Sequence, residues 1–121
     1  MSDDEEEQGN IDPQAKALAD LPHYVVRRNE LREDLLMRSL IISVEGLKQH
    51  KLQKDVAQHI KQKLDTDPEF NELIGKGPWQ VVVGRSFATA LTHEAMHLCF
   101  FDIPKFQETI LIYKSLGVQS L

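Results

Sequence analysis

The stretch VVVGRSFATALTHEAMHLCFF, residues 81–101, decides how this chain is read, because its centre, His93-Glu94-Ala95-Met96-His97, spells the zinc-protease pattern H-E-x-x-H. That pattern works only on a helix, where histidines four residues apart share a face, grip one zinc and leave the glutamate between them as general base. The flanks Val81, Val82, Val83, Phe87, Thr89, Thr92, Cys99, Phe100 and Phe101 are β-branched, aromatic or small, which favours strands. In a strand rising ~3.3 Å per residue, His93 and His97 point the same way but stand ~13 Å apart. Zinc takes nitrogen ligands at ~2 Å and cannot bridge that gap. No histidine follows His97, and Phe100 and Ile103 occupy positions where the longer protease signature requires glycine and histidine. The expectation is therefore sheet, with no catalytic residue, no metal ligand and no cofactor. A metalloprotease using His93, Glu94 and His97 is the remote alternative.

The chain's 121 residues, 41% of them hydrophobic, suit one domain. No run reaches the ~18 apolar residues of a membrane span, and the amino terminus is acidic where a secretory signal is basic, so no membrane partner and an intracellular setting are expected. Cys99 is the lone cysteine; among strand residues it is expected to be a buried thiol. The net charge of −5 divides unevenly. Residues 1–22 hold Asp3, Asp4, Glu5, Glu6, Glu7, Asp12 and Asp20 against Lys16, a balance of −6, which leaves +1 for the rest. An acidic, disordered extension over 1–22 and a folded domain over 23–121 follow. The body's cations are interleaved with acids, so nucleic acid is not an expected partner.

His23 to Arg28 reads as an opening or edge strand. From Leu31 to His50, Leu36, Leu40, Val44 and Leu47 recur at helical spacing, with Gly46 placed for close packing. From Gln53 to Asp65, Leu52, Val56, Ile60 and Leu64 form an i, i+4 ladder. Asp67-Pro68 breaks that helix and opens a further turn before Gly75. Trp79–Gly84, Phe87–His93, Met96–Phe101 and Thr109–Lys114 then read as four strands, with Pro104 in the last connection because it cannot donate a ladder hydrogen bond. The order β-α-α-β-β-β-β predicts an α+β fold, two helices packed on an antiparallel sheet. Around Phe87, the small residues Ala88, Thr89 and Ala90 leave an edge able to accept a foreign strand.

Four blocks carry a resemblance: Lys54-Asp55-Val56-Ala57-Gln58-His59-Ile60-Lys61, Val83-Gly84-Arg85-Ser86-Phe87, Thr92-His93-Glu94, and Ile110-Leu111-Ile112-Tyr113-Lys114-Ser115. In this order and at this spacing, from Tyr24 to Ser115, the chain resembles dynein light chains of the light chain 8 type. The resemblance implies a strand-swapped homodimer, or pairing with a related light chain, in which a strand at about Phe87–Thr92 crosses to the partner's sheet. It also implies a groove on each side of the dimer that takes a partner segment, such as one of a dynein intermediate chain with a Thr-Gln-Thr-like core, as an added strand. The implied groove comprises Gln53, Lys54, Ser86, Phe87, Ala88, Thr89, Ala90, Leu91, Thr92, His93, Phe100 and Asp102. Phe87 would form its floor, Thr92 and His93 its wall, while Gln53 and Lys54 would cap the ligand's glutamine. The implied dimer interface comprises Gln80, Phe87, Thr89 and Leu91.

The sequence departs from the family pattern at Ser86, where asparagine is usual, and at Ala90, Phe100 and Asp102, where tyrosines are usual. Gln80 replaces an interface histidine, so the dimer is expected to tolerate mild acid, since an amide does not titrate. An insertion near Asp67–Lys76, the acidic leader and two extra residues near Pro104 suit, by analogy, a subunit dedicated to an axonemal motor. The expected function is microtubule-based motor assembly in the cytoplasm and cytoskeleton, with the cilium or flagellum axoneme as a further location. The alternative is a structural light chain with a vestigial groove, acting through dimerisation alone.

Overall fold

A computed structural model describes residues 13–72, 78–85 and 96–115. Its elements are α1 (Pro13–Ala19), β1 (Val25–Asn29), α2 (Glu33–Gln49), α3 (Gln53–Asp65), α4 (Pro68–Glu72), β2 (Gln80–Gly84), β3 (Met96–Ile103), a 3₁₀ turn (Pro104–Phe106) and β4 (Glu108–Ser115). The strands form one sheet of order β1-β3-β4-β2, antiparallel throughout. This is the expected α+β class. The strand read at Phe87–His93 lies outside the described residues. Of the extension expected over 1–22, residues 13–22 are described, and within them Pro13–Ala19 is a helix that touches α2. Proline at its first position fits, because that residue's missing N–H would have no intrahelical acceptor.

Register fixes which side chains share a face. Across β2, β4 and β3, Val81 stands opposite Ile112 and Ile112 opposite Cys99, while Val83, Ile110 and Phe101 make a parallel row. These rows meet α2 and α3 in the main core, which takes Leu35, Leu40 and Val44 from α2 and Val56, Ile60 and Leu64 from α3. Each such burial contributes about 1.5–3 kcal/mol of transfer free energy. The α2–α3 contact is close because α2 presents the buried Gly46 there. A Cβ on Gly46 would stand 3.1 Å from Cδ2 of His59 and 3.4 Å from Cγ1 of Val56. His59 is accordingly only 11% exposed, wedged against α2 rather than lying on an outer flank.

The described part of the stretch read as an insertion, residues 67–72, has a definite place. Asp67 accepts the N–H of Glu69 at 2.8 Å and so caps α4. It also receives both hydrogen bonds of Arg38 Nη1, at 2.9 and 3.1 Å, while Arg38 Nη2 donates to Glu69. Burial opposes the Arg38 charge, yet these two carboxylates outweigh it and raise the guanidinium's pKa. Beneath them Phe70 meets Trp79 edge to face at 5.4 Å, and both rings are fully buried. Asp65 accepts the Trp79 N–H at 2.8 Å and Lys61 Nζ at 3.0 Å, and Lys61 also donates to the Trp79 carbonyl. Phe70 of α4 therefore covers one corner of the core.

Candidate functional site

The second face of the sheet is also apolar. Gln80, Tyr113 and Leu98 form one row across β2, β4 and β3, and Val82, Leu111 and Phe100 form the next. Leu98, Phe100 and Leu111 are buried, with Tyr113 packed beside them, whereas Val82 is 42% exposed. An antiparallel sheet with one solvated face alternates apolar and polar residues. Here β3 reads apolar on both faces, which is why its sequence, His97 to Phe101, shows no clean alternation. Among the described residues β2 is an outer strand paired only with β4.

At the end of these rows the chain builds a trough. One hollow of about 430 Å³ is lined by Lys51, Leu52, Gln53, Arg85 and Glu108. A second, of about 370 Å³, shares Arg85 and Glu108 and continues to Asp102 and Thr109. Arg85 and Glu108 line both hollows, one beside the start of α3 and the other beside the end of β3. Glu108 accepts a hydrogen bond from Gln53 Nε2 at 2.8 Å. Asp102 accepts from Arg27 Nε at 2.8 Å and from the Thr109 hydroxyl at 2.6 Å, and the Arg27 guanidinium lies 5.3 Å from the Phe100 ring centre. Both trough carboxylates therefore have donors within the chain.

The amino end of α3 has no such partner. Its cap is Leu52, 57% exposed, which offers no side-chain acceptor where serine, threonine or aspartate would be favoured. The Leu52 carbonyl takes the N–H groups of Asp55 and Val56. Among the described residues no acceptor is seen for those of Gln53 and Lys54, the usual state of a helix's first N–H groups without a side-chain cap.

The residues expected at a groove divide accordingly. Gln53 and Asp102 line the hollows, Phe100 lies against the Asp102 partner Arg27 but lines neither, and Lys54 is exposed next to Gln53 in α3. Gln80 is exposed on the second face opposite Tyr113. Ser86, Phe87, Ala88, Thr89, Ala90, Leu91, Thr92 and His93 lie outside the described residues, as does Glu94. Sequence reading gave no role to Arg85, Glu108, Arg27 or Thr109. Arg85 stood inside a recognised block, and the other three become visible only through the β3–β4 and β1–β3 registers.

A sequence profile of the family described as "Dynein light chain type 1" matches residues 23–115. The chain belongs to that family. Among similar proteins, "Dynein light chain 1, cytoplasmic" of Debaryomyces hansenii is 33% identical over 91 residues, covering 75% of this chain and 90% of the relative. "Dynein light chain, cytoplasmic" of Emericella nidulans is 28% identical over 97 residues, 79% of this chain and 83% of the relative. Dynein light chains are structural motor components, and this one is a non-catalytic light chain. The H-E-x-x-H letters fit that membership, since His97 sits in strand β3 opposite Lys114 and not on the helix a shared zinc needs.

Cys99 of this light chain is fully buried in the main core. Burial pushes its thiol up to about 12, against a weaker opposing contribution from Ser39. Since the thiolate is the reactive form, the folded protein is expected to resist iodoacetamide at pH 8 and to be alkylated at Cys99 once denatured. Mass spectrometry before and after denaturation checks this, and rapid labelling of the native chain would contradict it.

Proposed function

We propose that this light chain forms a strand-swapped homodimer, or pairs with a related light chain, and binds segments of dynein intermediate chains by β-strand addition. The observation that carries the reading is the hollow at the start of α3, lined by Gln53 and by Arg85 just after β2, together with the open edge of β2 among the described residues. A strand at about Phe87–Thr92 would cross to the partner's β2 edge, and Gln80, Phe87, Thr89 and Leu91 would lie at the interface. The bound segment would run along Ser86 to His93 and end over the free N–H groups of Gln53 and Lys54, which suit an acceptor such as a glutamine carbonyl. Two grooves on one dimer make the second capture intramolecular and raise avidity by ~10²-fold or more. The relatives' names place those proteins with cytoplasmic dynein, which supports the cytoplasm and cytoskeleton for this chain; service in an axonemal motor of cilia or flagella is the narrower reading.

A second reading has its own observation. Asp102, at a family tyrosine position, is tied down by Arg27 and Thr109, and Phe100, at another, is only 7% exposed. Such a groove could be vestigial, leaving dimerisation as the whole function. Sedimentation at neutral and mildly acid pH should give a dimer in both, because Gln80 does not titrate. In a pull-down with an intermediate chain, Phe87→Ala and Lys54→Ala should each lower capture about tenfold or more. Undiminished capture by both variants would select the vestigial groove, and a monomer at neutral pH would sink the proposal.

A further inference from the structure

We infer that α1 is a detachable strap: it occupies in cis a helix-docking groove on α2, and the groove takes an amphipathic helix of the same pattern from a partner when the strap is released. The inference goes beyond the peptide-groove and dimer reading above, since every residue lining this groove lies in α1, in the turn after it or in α2, and none lies on the sheet.

A hollow of about 280 Å³ separates the two helices, and its walls have matched periodicity. On one wall Pro13, Lys16, Ala17, Asp20 and Leu21 stand at i, i+3, i+4, i+7 and i+8; on the other Ile41, Val44, Glu45 and Lys48 stand at i, i+3, i+4 and i+7. Each set is one face of a helix. The α2 wall is apolar at its centre, with Ile41 half-buried and Val44 buried, and α1 meets it with proline and alanine, which leave it unfilled. Each wall also carries one cation and one acid a turn apart. Among the described residues neither Lys16 nor Asp20 forms an ion pair with α2, and Glu45 instead approaches His59 Nε2 at 3.6 Å. The groove is shaped for a helix and held by one that fits it loosely.

The hold of α1 is also weak in itself. It has seven residues and buries none of them, whereas an isolated helix shorter than ~12–15 residues is marginal in water. Leu21, packed on the main core, anchors the chain just after it, and this tether keeps α1 near its groove at an effective concentration of about millimolar. A partner helix displaces α1 without opening the core if it brings what α1 lacks. Those features are a larger apolar residue at the Ala17 position, to fill the space beside Ile41, and a cation and an acid one turn apart that reach Glu45 and Lys48.

The test uses the full chain and a fluorescent peptide of residues 13–21, carrying Ala17→Leu and held helical by a hydrocarbon staple between positions 15 and 19, both exposed. A strap closed for about nine-tenths of the time lowers the apparent affinity of a competitor about tenfold. The peptide should therefore bind the Ala17→Glu chain, whose own strap carries a charge into the contact, about tenfold more tightly than the unaltered chain. Adding Ile41→Glu to that variant should abolish binding. Hydrogen exchange on the unaltered chain reads the strap without any substitution: the amides of Ala17 to Asp20 should exchange about tenfold or more faster than those of Leu40 to Val44. Equal protection of α1 and α2 would overturn the inference. So would peptide binding that is the same with and without Ala17→Glu, that survives Ile41→Glu, or that fails altogether on the folded Ala17→Glu chain.

Discussion

Replacing Trp79 by alanine is expected to cost about 3–5 kcal/mol, a large share of the ~5–15 kcal/mol that holds a domain of this size. Trp79 is fully buried, meets Phe70 edge to face and lies 5.2 Å beneath the Lys114 amine. Its removal strips packing from α4, from the α3–β2 junction and from β4 together, and the cavity cannot collapse because each wall belongs to a different element. The indole N–H has no hydrogen-bond partner among the described residues, so packing accounts for the loss. Trp79→Phe should therefore recover much of it. Urea melts of the three proteins check both statements. A cost below 1 kcal/mol for the alanine variant would mean that this corner is not part of the cooperative unit.

The second large effect centres on Asp65. Its carboxylate accepts the Trp79 N–H and the Lys61 amine and acts electrostatically on Lys114, whose pKa is lowered by burial while Asp65 pulls it upward. Asp65→Ala leaves a nearly buried ammonium without that counter-charge and a backbone donor without its acceptor, and should cost about 2–3 kcal/mol at neutral pH. The sign of its pH dependence follows. With Lys114 lowered in the folded state, the unfolded chain binds more protons between the folded pKa and the ordinary 10.5, so stability rises with pH across that window. Losing Asp65 lowers the folded pKa further and widens the window. The deficit of the variant should therefore be greatest below the folded-state pKa of Lys114 and shrink as the pH approaches 10.5, as read by denaturant midpoints. A deficit independent of pH would confine the role of Asp65 to its hydrogen bonds.

Much of the fold was legible from residue pattern. The i, i+4 ladder of Val56, Ile60 and Leu64 placed α3 from Gln53 to Asp65 without error, and Gly46 marked the close α2–α3 contact. Pro104 fell in the β3–β4 connection, as a residue lacking an N–H must. The start of α2 was placed two residues early because Leu31, though buried, precedes the helix: its N–H is taken by the Asn29 side chain. The helix at Pro13–Ala19 was missed because charge in residues 1–22 outweighed a short helix-forming run with no buried residue. Lys114 reads as a surface lysine in any strand pattern; only the register that turns it toward Trp79 shows otherwise. The candidate site was half legible. Gln53 and Asp102 came from resemblance, but their partners Glu108, Thr109 and Arg27 depend on strand pairing, which no local sequence window contains.

The irregularity in β1 bears on how large an assembly can become. Between Val26 and Arg28 the β1–β3 register shifts, and two arginines stand at this bulge on the sheet's outermost strand. A kinked, cationic border resists a further strand laid along it. The β2 border is regular and carries three valines. Among the described residues the two borders therefore differ: strand addition is opposed along β1 and open along β2, so in the proposed dimer a further strand would enter on the β2 side and not along β1.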